Sequence, residues 1–380
     1  MPSNVTTSVG YWAGRWMSGK LAGPYAKRLE DSGVVDEFVI WDQMTNWWPR
    51  VLWDKDVSPL AAVVPDIDSL QDPFLSCAYA QAATEHLSVA ISTDAARRDP
   101  PELLQAMLTL SNATQGGARL ILGAGEARHI TPFGRSRAPG LKRLEDALRI
   151  FRLWFDNNGP VDFEGKFWKM QQAWIGKGGM NRRPEIIAVG GGPKLVALGA
   201  ELADGLVTGS PFVFSRPDEY GAFVKEVGAA IESHGRDKSR FKFGLYHVMF
   251  LCDDHKEFLD NLDHPLLKWY AATGGRINQR DWAKEGMKSV LPEDWHYAFD
   301  MVPAGMTRAE VDAINDQVTP EMVKKAFVWG TPAEVAAHLN KYSANGCNYH
   351  VLADIAPAMV PTDPERVLDR YIEVCRLLKK

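Results

Sequence analysis

The sequence predicts an α/β chain, a (β/α)8 TIM barrel with insertions at the C-terminal face of its strands. Three observations carry this. Eight short, nearly continuous apolar runs recur along the chain, separated by amphipathic stretches, and such runs are what strands covered on both faces require. Each parallel step needs a crossover helix, so repeated alternation suits a closed parallel barrel. The rival doubly wound sheet places G-x-G-x-x-G after its first strand, whereas here the first run leads into Gly10-Tyr11-Trp12-Ala13-Gly14. A chain of 380 residues has the length of one such barrel with insertions. No repeat, low-complexity tract or linker divides it, so one domain is expected over 1–380.

The elements follow in order. A strand at 7–12 precedes a helix at 25–31, and a strand at 37–41 reads EFVIW. The connection 47–73 is too long for a plain loop and is rich in Trp, Pro and Asp. Helix 74–84, strand 87–92, helix 101–112, strand 119–123 and helix 141–156 come next, the helices carrying apolar residues at spacings of three and four. Strand 185–189, helix 194–202, strand 205–208, helix 217–234 and strand 242–251 continue the alternation. A second long insertion, about 253–328, follows the seventh strand and holds helix-like pieces and three Trp. Helix 332–344 opens with Thr331-Pro332-Ala333-Glu334, a capping Thr before a first-turn Pro with Glu at the third helical position. The eighth strand, 349–353, leads to helix 364–378 behind Asp363-Pro364. Both insertions follow strands, so both belong at the C-terminal face, where barrel active sites are built; their aromatic content argues against disorder.

Composition narrows the function. Hydrophobic residues make up 46% and the net charge is -5, which disfavours nucleic acid and anionic membrane as partners. Cys77, Cys252, Cys347 and Cys375 form no CxxC pair and read as free buried thiols in a reducing compartment. The N-terminus lacks a basic region followed by an apolar one, and no run is long enough to span a bilayer. A cytoplasmic protein is expected. Cys252-Asp253-Asp254-His255 is the one local cluster of metal-ligand types and reads as solvated turn residues; no metal is expected. Serine-hydrolase and P-loop signatures are absent.

Five segments carry chemistry. Ile40-Trp41-Asp42-Gln43 ends the second strand, and Ser92-Thr93-Asp94 through Arg98-Asp99-Pro100 leaves the third. Leu122-Gly123-Ala124-Gly125-Glu126 ends the fourth. Ala188-Val189-Gly190-Gly191-Gly192-Pro193 ends the fifth, with Ala203-Asp204-Gly205 opening the sixth, and Gly330-Thr331-Pro332-Ala333-Glu334-Val335 precedes the seventh helix in the list above. Three glycines before a helix let backbone N–H groups approach a phosphate at the helix N-terminus, and Lys194 adds charge; the plainer alternative is an αL turn. Glu126 is a candidate proton donor, or else a structural carboxylate paired with Arg128.

Together, in this order and spacing, these segments resemble the luciferase-like superfamily, and within it the coenzyme F420 (deazaflavin) branch. The phthiodiolone ketoreductases are most similar, and the methylene-tetrahydromethanopterin reductases more distantly so. The resemblance implies a homodimer binding a tricyclic cofactor at the barrel mouth through Asp42, Ile91, Ser92, Asp94, Ala124, Gly125, His129, Gly190, Gly191, Gly192 and Lys194. It implies a non-prolyl cis peptide at Ile91–Ser92 and a proton-donating role for Glu126. Gln43 departs from the pattern, because relatives commonly carry a histidine there. A glutamine amide donates and accepts hydrogen bonds but relays no proton, which favours reduction, leaving Glu126 alone or with His129. Gly209 and Phe212 stand where sugar-phosphate relatives carry Thr and Lys, which disfavours a sugar phosphate.

Trp12, Trp47 and Trp48 are candidate walls of an apolar substrate pocket. Trp16, Trp53, Trp269, Trp282 and Trp295 join them at the same end, some only packing the insertions. The expected activity is hydride transfer between reduced coenzyme F420 and a bulky apolar or aromatic ketone, imine or activated double bond. An FMN-dependent two-component monooxygenase and a noncatalytic flavin- or deazaflavin-binding protein are the alternatives.

Overall fold

The computed structural model describes residues 5–380. Eight parallel strands, β1 (Thr6–Gly10), β2 (Glu37–Trp41), β3 (Ser88–Asp94), β4 (Ala118–Gly123), β5 (Glu185–Val189), β6 (Gly205–Ser210), β7 (Lys242–Leu251) and β8 (Tyr349–Asp354), pair in sequence order. The β8–β1 pairing, with Val9 opposite Leu352, closes the ring. All eight expected strands are present, with ends shifted by at most two residues.

Alternation sorts the strand residues. Phe38 and Ile40 face the outer helices, whereas Val39 joins Ala90, Ile121, Ile187, Val207, Tyr349 and Val351 inside the barrel. The floor of the barrel is polar but matched: buried Glu37 accepts from the Arg119 guanidinium and the Tyr349 hydroxyl. Outer helices such as Pro100–Ser111 and Gly140–Asp156 bury Leu103, Met107, Leu144 and Phe151 against the strands. The capping box at Thr331 and Glu334 forms in full, and the four thiols are free and buried.

The two insertions pack on each other over the barrel mouth. Trp48 donates through Nε1 to the Leu266 carbonyl at 2.9 Å, and Trp269 donates to that of Trp47 at 2.9 Å. Trp269 and Trp282 are buried in this layer. Two features lie outside the predicted elements. One is an antiparallel hairpin, Val161–Glu164 with Lys169–Ala173, whose residues are mostly exposed and so lack an apolar pattern. The other is a short strand, Val328–Gly330, beside the end of β7. Among the described residues no helix is long and apolar enough to cross a membrane.

Candidate active site

A cavity of about 940 Å³ opens at the C-terminal ends of the strands. Asp42, Gln43, Ser92, Asp94, Ala124, Gly125, Glu126, His129, Gly190, Gly191, Gly192 and Lys194 all line it, as do Trp12, Trp47 and Trp48. Ile91 does not. Its position on β3 is odd to inward-facing Ala90 and Ser92, so alternation sends its side chain into the outer core. The expected cis bond at Ile91–Ser92 is likewise corrected: the one cis peptide among the described residues is Ser210–Pro211. Of the other tryptophans at this end, Trp16, Trp53, Trp269 and Trp282 pack the insertion layer.

The glycine turn after β5 leaves its backbone open to the cavity. The Gly190 N–H is already bonded to the Val207 carbonyl, and its φ of 145° is a conformation glycine alone adopts readily. Beyond it, a Cβ on Gly192 would meet nothing within 4 Å, so the backbone here faces open space. Gly192 begins the helix Pro193–Leu202, and no side chain caps its first turn. The unpaired N–H groups and the helix dipole favour a phosphate, with exposed Lys194 beside them. A cofactor with a phosphate and a flat apolar ring system fits these residues, with Val189, Val248 and Tyr246 also on the wall.

The end of β4, next to β5 in the ring, carries a carboxylate. Glu126 follows Gly125, whose φ of 100° turns the chain at the end of β4. Its Oε2 accepts from Arg128 Nε at 2.7 Å and lies 3.9 Å from His129 Nε2. The structural pairing with Arg128 thus exists, in a group that also lines the cavity. Arg128 is held in turn by the Thr45 carbonyl at 2.6 Å. Burial, and then the charges of Arg128, Arg97 and Arg15, hold His129 well below the usual imidazole range. It is neutral at pH 7, and Nδ1 accepts from the Met44 N–H at 3.4 Å, which leaves the proton on Nε2. Burial raises Asp94 to about 7 even against Arg97, with Glu126 adding to the rise.

The end of β2 is fixed by charge. Asp42 is 4% exposed. It accepts from Arg98 Nε at 2.7 Å and Thr93 Oγ1 at 2.7 Å, and Arg97 Nη1 stands 2.9 Å away. Burial raises its pKa, but these partners bring it below the ordinary carboxylate value. Little acceptor capacity is left over, so Asp42 sets the position of its neighbour Gln43. The Gln43 Oε1 accepts from Arg15 Nη1, and its Nε2 remains a donor.

The cavity also holds residues that sequence reasoning passed over: Arg15, Arg137, Tyr246, Tyr270 and Tyr297 line it, beside Phe212. Trp47 packs in tilted contacts against Tyr270 and Tyr297, at centroid distances of 5.5 and 5.1 Å. Arg15 left a trace in the sequence as the one charge within the aromatic run GYWAGRW. At Cys252–His255 the acidic group is taken up by ion pairs: Asp253 pairs with Arg366 and Arg370, and His255 with Glu334. No group suited to a metal ion occurs among the described residues.

Comparison with known proteins gives this geometry a context. The chain is 27% identical over 325 residues to the phthiodiolone/phenolphthiodiolone dimycocerosates ketoreductase of Mycobacterium kansasii, covering 83% of this chain and 85% of that protein. An F420-dependent secondary alcohol dehydrogenase, solved with an F420–acetone adduct, superposes with a TM-score of 0.70 at 18% identity, covering 99% of this chain and 100% of the other. The FMN-bound oxygenating constituent of 3,6-diketocamphane monooxygenase from Pseudomonas putida gives 0.62 at 16% identity, covering 100% and 98%. The luciferase-like monooxygenase family model matches residues 61–348. The barrel, its mouth and this match together make the chain a member of the luciferase-like family of oxidoreductases.

Proposed function

We propose that the chain is a coenzyme F420-dependent reductase acting on a ketone, or a comparable imine or activated double bond, of a bulky apolar or aromatic molecule. The observation that carries this reading is the make-up of the wall around Glu126. Gln43 Nε2 and His129 Nε2 are hydrogen-bond donors on the cavity wall, and the carboxylate of Glu126 lies 3.9 Å from His129 Nε2. Such a set suits an oxygen that gains negative charge and then a proton. The likeness to a ketoreductase supports the same reading.

When bound, the reduced deazaflavin supplies the hydride. The chain supplies the rest. The glycine turn and Lys194 hold the phosphate end. Gln43 and His129 orient and polarise the substrate oxygen. Asp94, which holds a proton up to about pH 7, is the proton store of this wall, and the Glu126 carboxylate takes up that proton and passes it to the oxygen. Trp47, Tyr270 and Tyr297 shield the reacting centre from water and give area to an apolar substrate.

The test is anaerobic mixing of the chain and reduced coenzyme F420 with a panel of aryl and long-chain ketones. Oxidation of the deazaflavin with formation of the alcohol is expected. No turnover on any ketone, together with oxygen consumption on addition of reduced FMN, would replace this reading by that of a two-component monooxygenase.

A further inference from the structure

The turn after β1 carries an arginine that the fold buries without a counter-charge. Arg15 is 4% exposed and lines the cavity. Its Nη1 donates to Gln43 Oε1, and its Nε has no partner. Among the described residues no carboxylate forms an ion pair with it. The guanidinium instead lies over the rings of Trp12 and Trp16, 5.1 and 4.7 Å from their centroids. The charge that acts on it is another cation, Arg128; burial first, and that neighbour second, lower it to about 9.

The carboxylates of the cavity wall leave none for Arg15: Asp42 has Arg97 and Arg98, Glu126 has Arg128, Asp281 has Lys284, and Asp94, which is raised to about 7, forms no ion pair with it. Lys194 and Arg137 also lack a carboxylate, and Arg137 Nε too is buried without a partner, but Lys194 is exposed and Arg137 only half-buried overall, so water reaches both side chains. Arg15 differs because burial removes that water. A buried ion without a partner costs several kcal/mol, and an anion brought in by a ligand offsets this cost. A guanidinium fork suits a carboxylate.

The place of Arg15 indicates whose anion it is. In a closed ring of eight strands, β1 and β5 stand four apart, on opposite sides of the mouth. The phosphate cradle after β5 and Arg15 after β1 therefore serve different groups. Through Gln43, Arg15 adjoins the Glu126 and His129 wall where the substrate reacts.

We propose that Arg15 is the receptor for a carboxylate on the substrate, so that the molecule reduced here is an acid whose carboxylate pairs with the guanidinium between Trp12 and Trp16. This rests on the hydride-transfer reading above, and it narrows the substrate class to keto acids and related unsaturated acids with an apolar body.

The test is calorimetric titration of the full chain with 3-phenylpropanoate and with its neutral isostere 3-phenylpropanamide. A charge-assisted contact predicts that the acid binds wild type about tenfold or more tightly than the amide. Arg15→Met removes that preference and leaves amide binding within about threefold, while Arg15→Lys retains part of it. Equal affinities in wild type, or binding of neither probe, overturn the proposal without recourse to a variant. A preference that survives Arg15→Met also overturns it. So does a loss of coenzyme F420 affinity in Arg15→Met, which assigns the arginine to an acidic group of the cofactor. Titration with F420 and FMN on the same samples separates the two readings. F420 binding without acid preference removes the Arg15 proposal alone. Acid preference in a chain that binds neither cofactor supports the anion site and removes the hydride-transfer reading.

Discussion

Replacing Asp42 with Asn keeps the side chain's shape and removes its charge from the end of β2. In the native structure Asp42 is buried and faces two guanidinium groups, with Arg98 Nε at 2.7 Å and Arg97 Nη1 at 2.9 Å. Arg97 is 10% exposed and Arg98 30%, so the first loses the most solvent compensation. Breaking a buried pair by removing one partner costs about 3–5 kcal/mol. Unfolding entropy of about 2.1 cal/mol/K per residue comes to roughly 0.8 kcal/mol/K for a chain of this length, so Tm falls by about 4–6 °C. The folded-state pKa of Asp42 lies below its ordinary value. Its contribution is therefore complete above the unfolded pKa near 3.9 and fades as pH falls through the lower folded value. Calorimetric melts of wild type and Asp42→Asn at pH 7, 5 and 3 measure this. A difference below about 1 kcal/mol at pH 7, or one that does not shrink toward pH 3, refutes the argument.

Three further outcomes follow from the site. Glu126→Gln retains an acceptor for Arg128 but delivers no proton, so kcat falls by about 100-fold or more while cofactor affinity holds; single-turnover kinetics on a reducible ketone check it, and unchanged turnover removes Glu126 from the chemistry. Gly192→Asp adds a Cβ into open space at an N-cap with φ of -71°, where Asp is welcome to the fold. Its charge opposes a phosphate, so Tm holds while cofactor binding weakens by about tenfold or more; retained affinity excludes this turn as the phosphate site. Asp94→Asn concerns pH: the folded pKa of Asp94 is raised to about 7, so its ionisation destabilises the wild type progressively between about pH 4 and 7. The variant's stability relative to wild type should rise across that window, by urea unfolding, and a flat difference contradicts it.

The sequence made the barrel legible because its strands are buried on both faces and read as apolar runs, as EFVIW does at β2. The cavity-lining loop residues were legible for another reason: their motifs end strands, and strand ends in a parallel barrel converge on one rim. Ile91 shows the limit. A motif match carries a backbone position without its side-chain direction, and the alternation Ala90, Ile91, Ser92 decides the face. The hairpin at 161–173 was not legible because its two short strands are mostly exposed and present no apolar face. Arg15 was hidden because its significance lies in what surrounds it. Its partner Gln43 and the like charge of Arg128 are brought to it only by the fold, and a missing counter-ion has no sequence signal.

The central claim is that this luciferase-like barrel holds a deazaflavin. The most direct measurement is titration of the purified chain with coenzyme F420 and with FMN, followed through quenching of its 13 tryptophans. The account predicts saturable F420 binding, with FMN weaker by about tenfold or more. Tighter binding of FMN, or of neither, would contradict it.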